Sequence, residues 1–159
     1  MASRDASPYR NRLAAWACIL LLGAASGGRD DAMNTFTDFD RLGRPDSPNH
    51  WLVAPADADP ALHADDTAPV FDMPASRLAA TWQQVVREQP RTRIVAVSED
   101  GLQVEAEQRS ALFGFVDSIS FRALPLDGER ATFIAYSRSQ VGYWDFTVNR
   151  RRLQAWVAA

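Results

Sequence analysis

Residues 137–152 read SRSQVGYWDFTVNRRR and crowd chemically capable side chains into one stretch. Hydroxyls stand at Ser137, Ser139 and Tyr143, a carboxylate at Asp145, an amide at Asn149, and guanidinium groups at Arg150, Arg151 and Arg152. The pattern is that of a strand end, a Gly-containing turn and a helix start. Asp145 or Thr147 is placed to cap that helix. The three arginines then fall in its first turns, where the helix dipole disfavours cations. Either the domain's own carboxylates or a bound anion must balance them. Helix N-terminal amides and Arg forks together make an anion cradle. Internal salt bridges are the commoner solution.

Other constellations are weaker. Glu105 and Glu107 share one face of an alternating strand, which leaves general acid–base work open. The same residues are what any solvated strand face displays. DPALHADD offers His63, Asp65 and Asp66, with His50 elsewhere, but lacks the recurring ligand spacing of a metal site. We read it as solvated loop charge and expect no metal and no cofactor. No Gly-x-Ser-x-Gly elbow, Gly-rich phosphate loop or His-Glu-x-x-His helix occurs. Neither of the two His residues adjoins a Ser or Thr nucleophile. LFGFVDSISF contains the Phe-Gly-Phe-Val centre of an RNA-stacking strand motif. Ala111-Leu112 and Ser118 break that motif, so the expectation is a bent core strand with Phe113 and Phe115 packed under a helix.

These residues need elements to position them. PASRLAATWQQVVREQP is the clearest helix, with Leu78, Trp82, Val85 and Val86 on one face, Pro74 in its first turn and Pro90 ending it. TRIVAVSED and GLQVEAEQRS form a hairpin through Glu99-Asp100-Gly101. The chain continues extended through ALFGFVDSISFRAL, with a bulge or bend at Gly114, then turns at LPLDGERA into the strand TFIAYSRSQVGY. A last helix carries Leu153, Trp156 and Val157 as its apolar stripe, with Asn149 on the same side. Trp82 and Trp156 should meet, because both helices must cover one sheet. The expected fold class is α+β: a single domain with an antiparallel sheet of three to five strands covered by two helices, and a long irregular N-terminal segment.

That segment, from Arg44 to Pro74, alternates prolines, Asp and short apolar patches, and is stiff and irregular because Pro constrains itself and its predecessor. Trp51, Leu52, Val53, Val70 and Phe71 should pin it to the domain. Before it, residues 26–43 are polar and Gly-rich and read as a flexible linker with Phe36 and Phe39 as its only anchors. Arg4, Arg10 and Arg12 precede the apolar run 13–28, the pattern of a secretory signal. Residues 1–25 are therefore expected to be a signal peptide cut near Ser26, or an N-terminal membrane anchor. The run falls short of the ~20 residues that comfortably span a bilayer. Cys18 lies inside the run, so the cleaved chain would hold no thiol and need no disulfide. Cleavage would leave 14 Arg against 19 Asp and Glu, a net charge of −5. That balance disfavours a nucleic-acid partner. All 17 basic residues are Arg; the bland cause is codon bias.

RPDSPNHWLV, PRTRIVAVSEDGLQVEAEQRSALFGFVDSISF and YSRSQVGYWDFTVNRRRLQAW resemble the exported bacterial and plastid proteins of the domain of unknown function 1499 family, over nearly all of residues 44–157. Arg109, Ser110, Phe115 and Asp117 match the middle motif of that family. Ser137, Ser139, Gly142, Tyr143, Asp145, Asn149 and Arg150 match the late one. Three positions depart: Ser118 replaces a second Asp, Gln140 replaces an Arg, and Thr147 stands where the family usually has Gly. A lost Asp–Arg pair would point to a structural role for those two positions. The resemblance implies a single compact domain at 44–159, often exported or membrane-tethered, and no established activity.

The reading that follows is an exported envelope protein, periplasmic or anchored facing the periplasm through residues 13–28. It would bind a small or anionic ligand, or a protein partner, without catalysis. Candidate ligand-binding residues are Arg109, Asp117, Tyr143, Asn149 and Arg150, in a groove bordered by the polar strand face and the 137–152 corner. The alternative is an enzyme with acid–base groups among Glu105, Glu107, Asp117 and Tyr143, with Arg109 and Arg150 steering an anionic substrate. It requires those groups to converge in one concave pocket. A passive stabiliser of a membrane complex would show neither groove nor pocket.

Overall fold

A computed structural model describes residues 35–43, 47–143 and 147–159. The expected signal or anchor segment, Cys18 and Asp145 fall outside the described residues. In chain order the elements are β1 (His50–Ala54), β2 (Asp66–Thr67), α1 (Ala75–Glu88), β3 (Thr92–Val97), β4 (Gln103–Arg109), β5 (Val116–Pro125), β6 (Ala131–Ser139) and α2 (Val148–Ala158). The fold is α+β, as expected, but the sheet has six strands and is mixed rather than purely antiparallel. Among the described residues its order is β2-β1-β6-β5-β4-β3, with the β1–β2 pair parallel and the other pairs antiparallel.

The two additional strands come from the Pro-rich segment expected to be irregular. His50-Trp51-Leu52-Val53 is a short run, yet it pairs antiparallel with the end of β6, Trp51 opposite Ser137 and Val53 opposite Ala135. Its alternation serves both faces: Val53 enters the main core and Leu52 the opposite side. Of the expected pins, Trp51 and Phe71 pack against the core, whereas Val70 is exposed. The sheet's edges are protected. β2 is only two residues long, and β3 carries a bulge between Ile94 and Ala96 with Arg93 on its outer surface.

Both helices lie on one face. Val104, Ile119, Phe121, Phe133 and Leu153 are essentially inaccessible there and join Trp82, Val86 and Trp156. Trp82 stacks on Phe121 with centroids 4.4 Å apart and meets the edge of Trp156 at 5.6 Å. The expected meeting of the two indoles is therefore found. α1 begins just after Pro74 and ends two residues before Pro90, the limits its prolines predict.

A second, smaller cluster covers the other face: Phe39, Leu52, Ala54, Ile134 and Tyr136. Phe39 reaches it from a 3-10 turn at Phe39–Arg41. Thr37 fastens the same stretch to the sheet, its amide donating to Glu105 Oε1 at 2.8 Å and its carbonyl accepting from Gln103 Nε2 at 2.8 Å. Phe39 is thus an anchor, as its isolation in a polar stretch suggested.

The region after β4 departs from expectation. The chain does not run extended through Phe113 and Phe115; it closes a turn. Ser110 N–H donates to Phe115 O at 2.8 Å, and Gly114 N–H to Ser110 O at 3.2 Å. Gly114 has φ +68°, which a glycine adopts without cost. Phe113 and Phe115 are exposed and stack on each other at 5.5 Å. They are not packed under a helix, because the turn ends the strand before they can take core positions.

Candidate functional site

The side chain of Arg152, on α2, points at the helix-side surface of the sheet and is buried. Its Nη2 donates to Asp117 Oδ2 at 2.5 Å, its Nη1 to Ser137 Oγ and Asn149 Oδ1 at 2.7 Å each, and its Nε to Gln108 Oε1 at 2.7 Å. Four of the five N–H donors of a guanidinium are thus taken by protein acceptors. Ser137 Oγ in turn donates to Asn149 Oδ1 at 2.6 Å, and Asn149 Nδ2 donates to Asn49 O at 2.8 Å and Ser139 Oγ at 3.2 Å. Asn49 Nδ2 closes the turn by donating to Gly142 O at 2.5 Å.

Strand alternation explains why these residues meet. Gln108 and Asp117 are cross-strand partners on β4 and β5, and Ser137 lies on the same face of β6. Asn149 and Arg152 are three apart on α2 and share the side that docks there. The cluster clasps helix, three strands and the segment before β1. It answers the electrostatic question for one arginine: Arg152 is balanced by Asp117, inside the protein.

The other two arginines are exposed. The Arg150 guanidinium lies 4.9 Å from the centroid of the Trp51 ring, a cation–π contact. Thr147 occupies the N-cap position of α2 at φ +66°, and its side chain makes no capping bond. A left-handed backbone is the setting in which Gly is favoured, which gives a physical reason for Gly at this place in the resembling family. A second departure is equally legible. Gln140 Nε2 donates to Ser118 Oγ at 2.7 Å, so the positions of the absent Asp and Arg are in contact, and a neutral hydrogen bond stands where a charge pair would fit.

The five candidate ligand-binding residues do not converge. Asp117 and Asn149 meet in the buried clasp. Arg150 lies outside it on Trp51, and Tyr143 is exposed after the β6 end. Arg109, next to Gln108 at the C-terminal end of β4, is exposed and borders a cavity of about 170 Å³ with Arg91, Thr92, Arg93 and Glu107. The acid–base candidates are also divided. Glu105 and Glu107 face away from the helices, whereas Asp117 faces them. Glu105 is buried and accepts from Ser120 Oγ at 2.5 Å as well as from Thr37. Glu107 pairs with Arg93 at 2.8 Å. Among the described residues no three His, Cys, Asp or Glu are grouped to hold a metal. Asp65 and Asp66 instead accept from the amides of Leu52 and Thr67.

Motif reading did not single out a well-formed cleft on the sheet face that, among the described residues, carries no α-helix. It has a volume of about 450 Å³. Phe39, Leu42, Leu62, Leu124 and Ile134 form an apolar floor, and Asp40, Asp57, Asp59 and Arg122 stand around it. Its walls are the 3-10 turn at Phe39–Arg41 and the loop after β1, which holds a second such turn at Pro60–Leu62. Asp59 caps the latter, accepting from Ala61 N–H at 2.8 Å. The only sequence signal was the alternation of Arg122, Leu124, Ile134 and Tyr136 on strand faces away from the core. Beside it, burial raises the Tyr136 phenol above its ordinary pKa of 10.0, while Arg138 opposes the shift. Its hydroxyl has no well-aligned hydrogen-bond partner.

No curated protein and no solved structure matches the chain. Among the described residues no helix is long and apolar enough to cross a membrane. The family described as Protein of unknown function (DUF1499) matches residues 43–159, covering the sheet from β1 to β6, both helices and every member of the clasp. The chain belongs to that family.

Proposed function

We propose that this is a non-catalytic binding domain whose ligand occupies the cleft on the helix-free face. The observation that carries the reading is the cleft itself: a volume of about 450 Å³ with an apolar floor and polar groups at its border, within the range of small-molecule sites. Three carboxylates against one guanidinium favour a ligand with an apolar body and a cationic or neutral polar end. The division of Glu105 and Glu107 from Asp117 across the sheet supports binding over acid–base catalysis. The engagement of four of the five Arg152 donors by protein acceptors supports a structural role for the clasp. The basic and apolar N-terminal pattern supports export to the envelope; intact-mass measurement of envelope fractions should find the chain cut near Ser26, and a full-length cytoplasmic species alone would refute that part.

The binding test uses matched probes: a short-chain alkyl-trimethylammonium ion and the alkyl sulfate of equal length, below micelle formation, at constant ionic strength. The cation should raise the melting temperature more than the sulfate. Asp40→Asn with Asp57→Asn should remove most of that difference. Equal stabilisation by both probes, or a cation response untouched by the double substitution, would overturn the reading.

A further inference from the structure

The turn between β4 and β5 exposes side chains that ordinary surfaces bury. Leu112 is 81% exposed and Phe113 70%, and Phe115 stacks on Phe113. Beside the turn, Gln140 N–H donates to Val116 O at 3.2 Å, bringing the following Val141 and Tyr143, both also exposed, to the same end of the sheet. The result is an end of the sheet rich in exposed apolar and aromatic side chains, built around a well-bonded turn. Ser110 accepts, donates and caps within it, its Oγ receiving the Phe115 N–H at 3.0 Å. Such a patch marks an interaction surface.

Charge identifies the occupant. Arg91 and Arg109 flank the turn and are tied to each other through the backbone, Arg109 N–H to Arg91 O at 3.0 Å and Arg91 Nε to Arg109 O at 3.1 Å. Arg109 Nη1 also reaches Gly114 O at 3.4 Å. Both line the cavity of about 170 Å³ next to the turn, a size and charge suited to a phosphate group. The antiparallel order of β3 to β6 puts their other two turns at the opposite end of the sheet, and those are net acidic: Glu99 and Asp100 before β4, and before β6 Glu129 with Asp127, the latter paired to Arg130. The domain is thus polarised along its strands, apolar and cationic at one end and anionic at the other.

We propose that the 110–115 turn is a membrane-docking tip: Leu112, Phe113 and Phe115 enter the interfacial layer of an anionic bilayer while Arg91 and Arg109 bind lipid phosphates. Aromatic and aliphatic side chains at headgroup depth with basic residues behind them are the physical pattern of interfacial binding. The anionic end would then face away from the surface, so a chain with net negative charge would still dock in one orientation.

The test uses the full chain in a Cys18→Ser background, with an environment-sensitive fluorophore placed by Leu112→Cys or, as a control at the opposite end, by Glu129→Cys. Phosphatidylglycerol vesicles should brighten the label at 112, and brominated lipid should quench it, whereas pure phosphatidylcholine should do little. The label at 129 should respond to neither. Each of Arg91→Gln and Arg109→Gln should weaken the partitioning of the 112 label about fivefold, the effect of removing one surface cation. Because the readout is local to the tip, an N-terminal segment that itself binds lipid would not produce it. A label at 112 that stays in water on anionic vesicles would overturn the proposal. So would a response without vesicles that grows with protein concentration, which would assign the tip to self-association.

Discussion

Arg152 shows how identical neighbours acquire different roles. Of three consecutive arginines, only the third turns inward, and it is paired with Asp117, both groups being nearly inaccessible. Removing one member of a buried pair strands the other, so Arg152→Ala should lower stability by about 3–5 kcal/mol. Arg150→Ala should cost at most about 1 kcal/mol, the scale of an exposed cation–π contact. Equal losses in chemical denaturation would contradict this division. Sequence spacing placed the arginines at a helix start but could not say which one faces the sheet, because that depends on how α2 is rotated against β5 and β6. Thr147 presents a different economy: a β-branched residue at φ +66° is strained. Thr147→Gly should therefore raise stability, by roughly 0.5–1 kcal/mol after the extra entropy of an unfolded glycine is subtracted. A fall in the denaturation midpoint would show that the threonine's own contacts outweigh the strain. For Tyr136 the linkage sign is set by its raised pKa. The unfolded phenol ionises first as pH rises past 10, so the unfolded state binds fewer protons and stability declines. Tyr136→Phe should shallow that decline and, by removing a buried hydroxyl without a well-aligned partner, leave neutral-pH stability unchanged or higher.

Among the elements, those with local punctuation were legible. Pro74 and Pro90 bracket α1, the Glu99-Asp100-Gly101 turn joins β3 to β4, and the Leu153–Trp156 stripe orients α2 on the core. The elements that escaped are defined by distant partners. β1 has a five-residue run among prolines and becomes a strand because β6 offers it an edge; β2 exists only beside β1. The stretch ALFGF looked like a core strand because its composition is that of one, whereas Gly114 and the Ser110 bonds make it a turn. Two substitutions separate these cases. Trp82→Ala should cost about 3–5 kcal/mol, since it removes the stacking centre of the core. Phe113→Ser should change stability by no more than about 0.5 kcal/mol, the range for exposed positions. A large loss from Phe113→Ser would return that residue to the core.

At the scale of the molecule, the sheet separates two environments. Its helix side is a filled core with the clasp at one margin. Among the described residues its other side is covered in part by the Phe39 turn and the loop after β1, and the cleft lies between them. The cleft could not be read from motifs because its floor is assembled from Phe39, Leu62, Leu124 and Ile134, drawn from four separate segments. The clasp was half legible: Asp117, Asn149 and the arginine run were singled out, but as ligand-facing groups. The central claim is that the proposed ligand binding belongs to the cleft and that the clasp around Arg152 is structural. Amide resonances followed during titration with the alkyl-trimethylammonium probe test it most directly. The account predicts progressive shifts at Phe39, Asp40, Ala58, Arg122 and Ile134, with Ser137, Asn149 and Arg152 unmoved. Shifts concentrated at Ser137, Asn149 and Arg152, with a silent cleft, would contradict it.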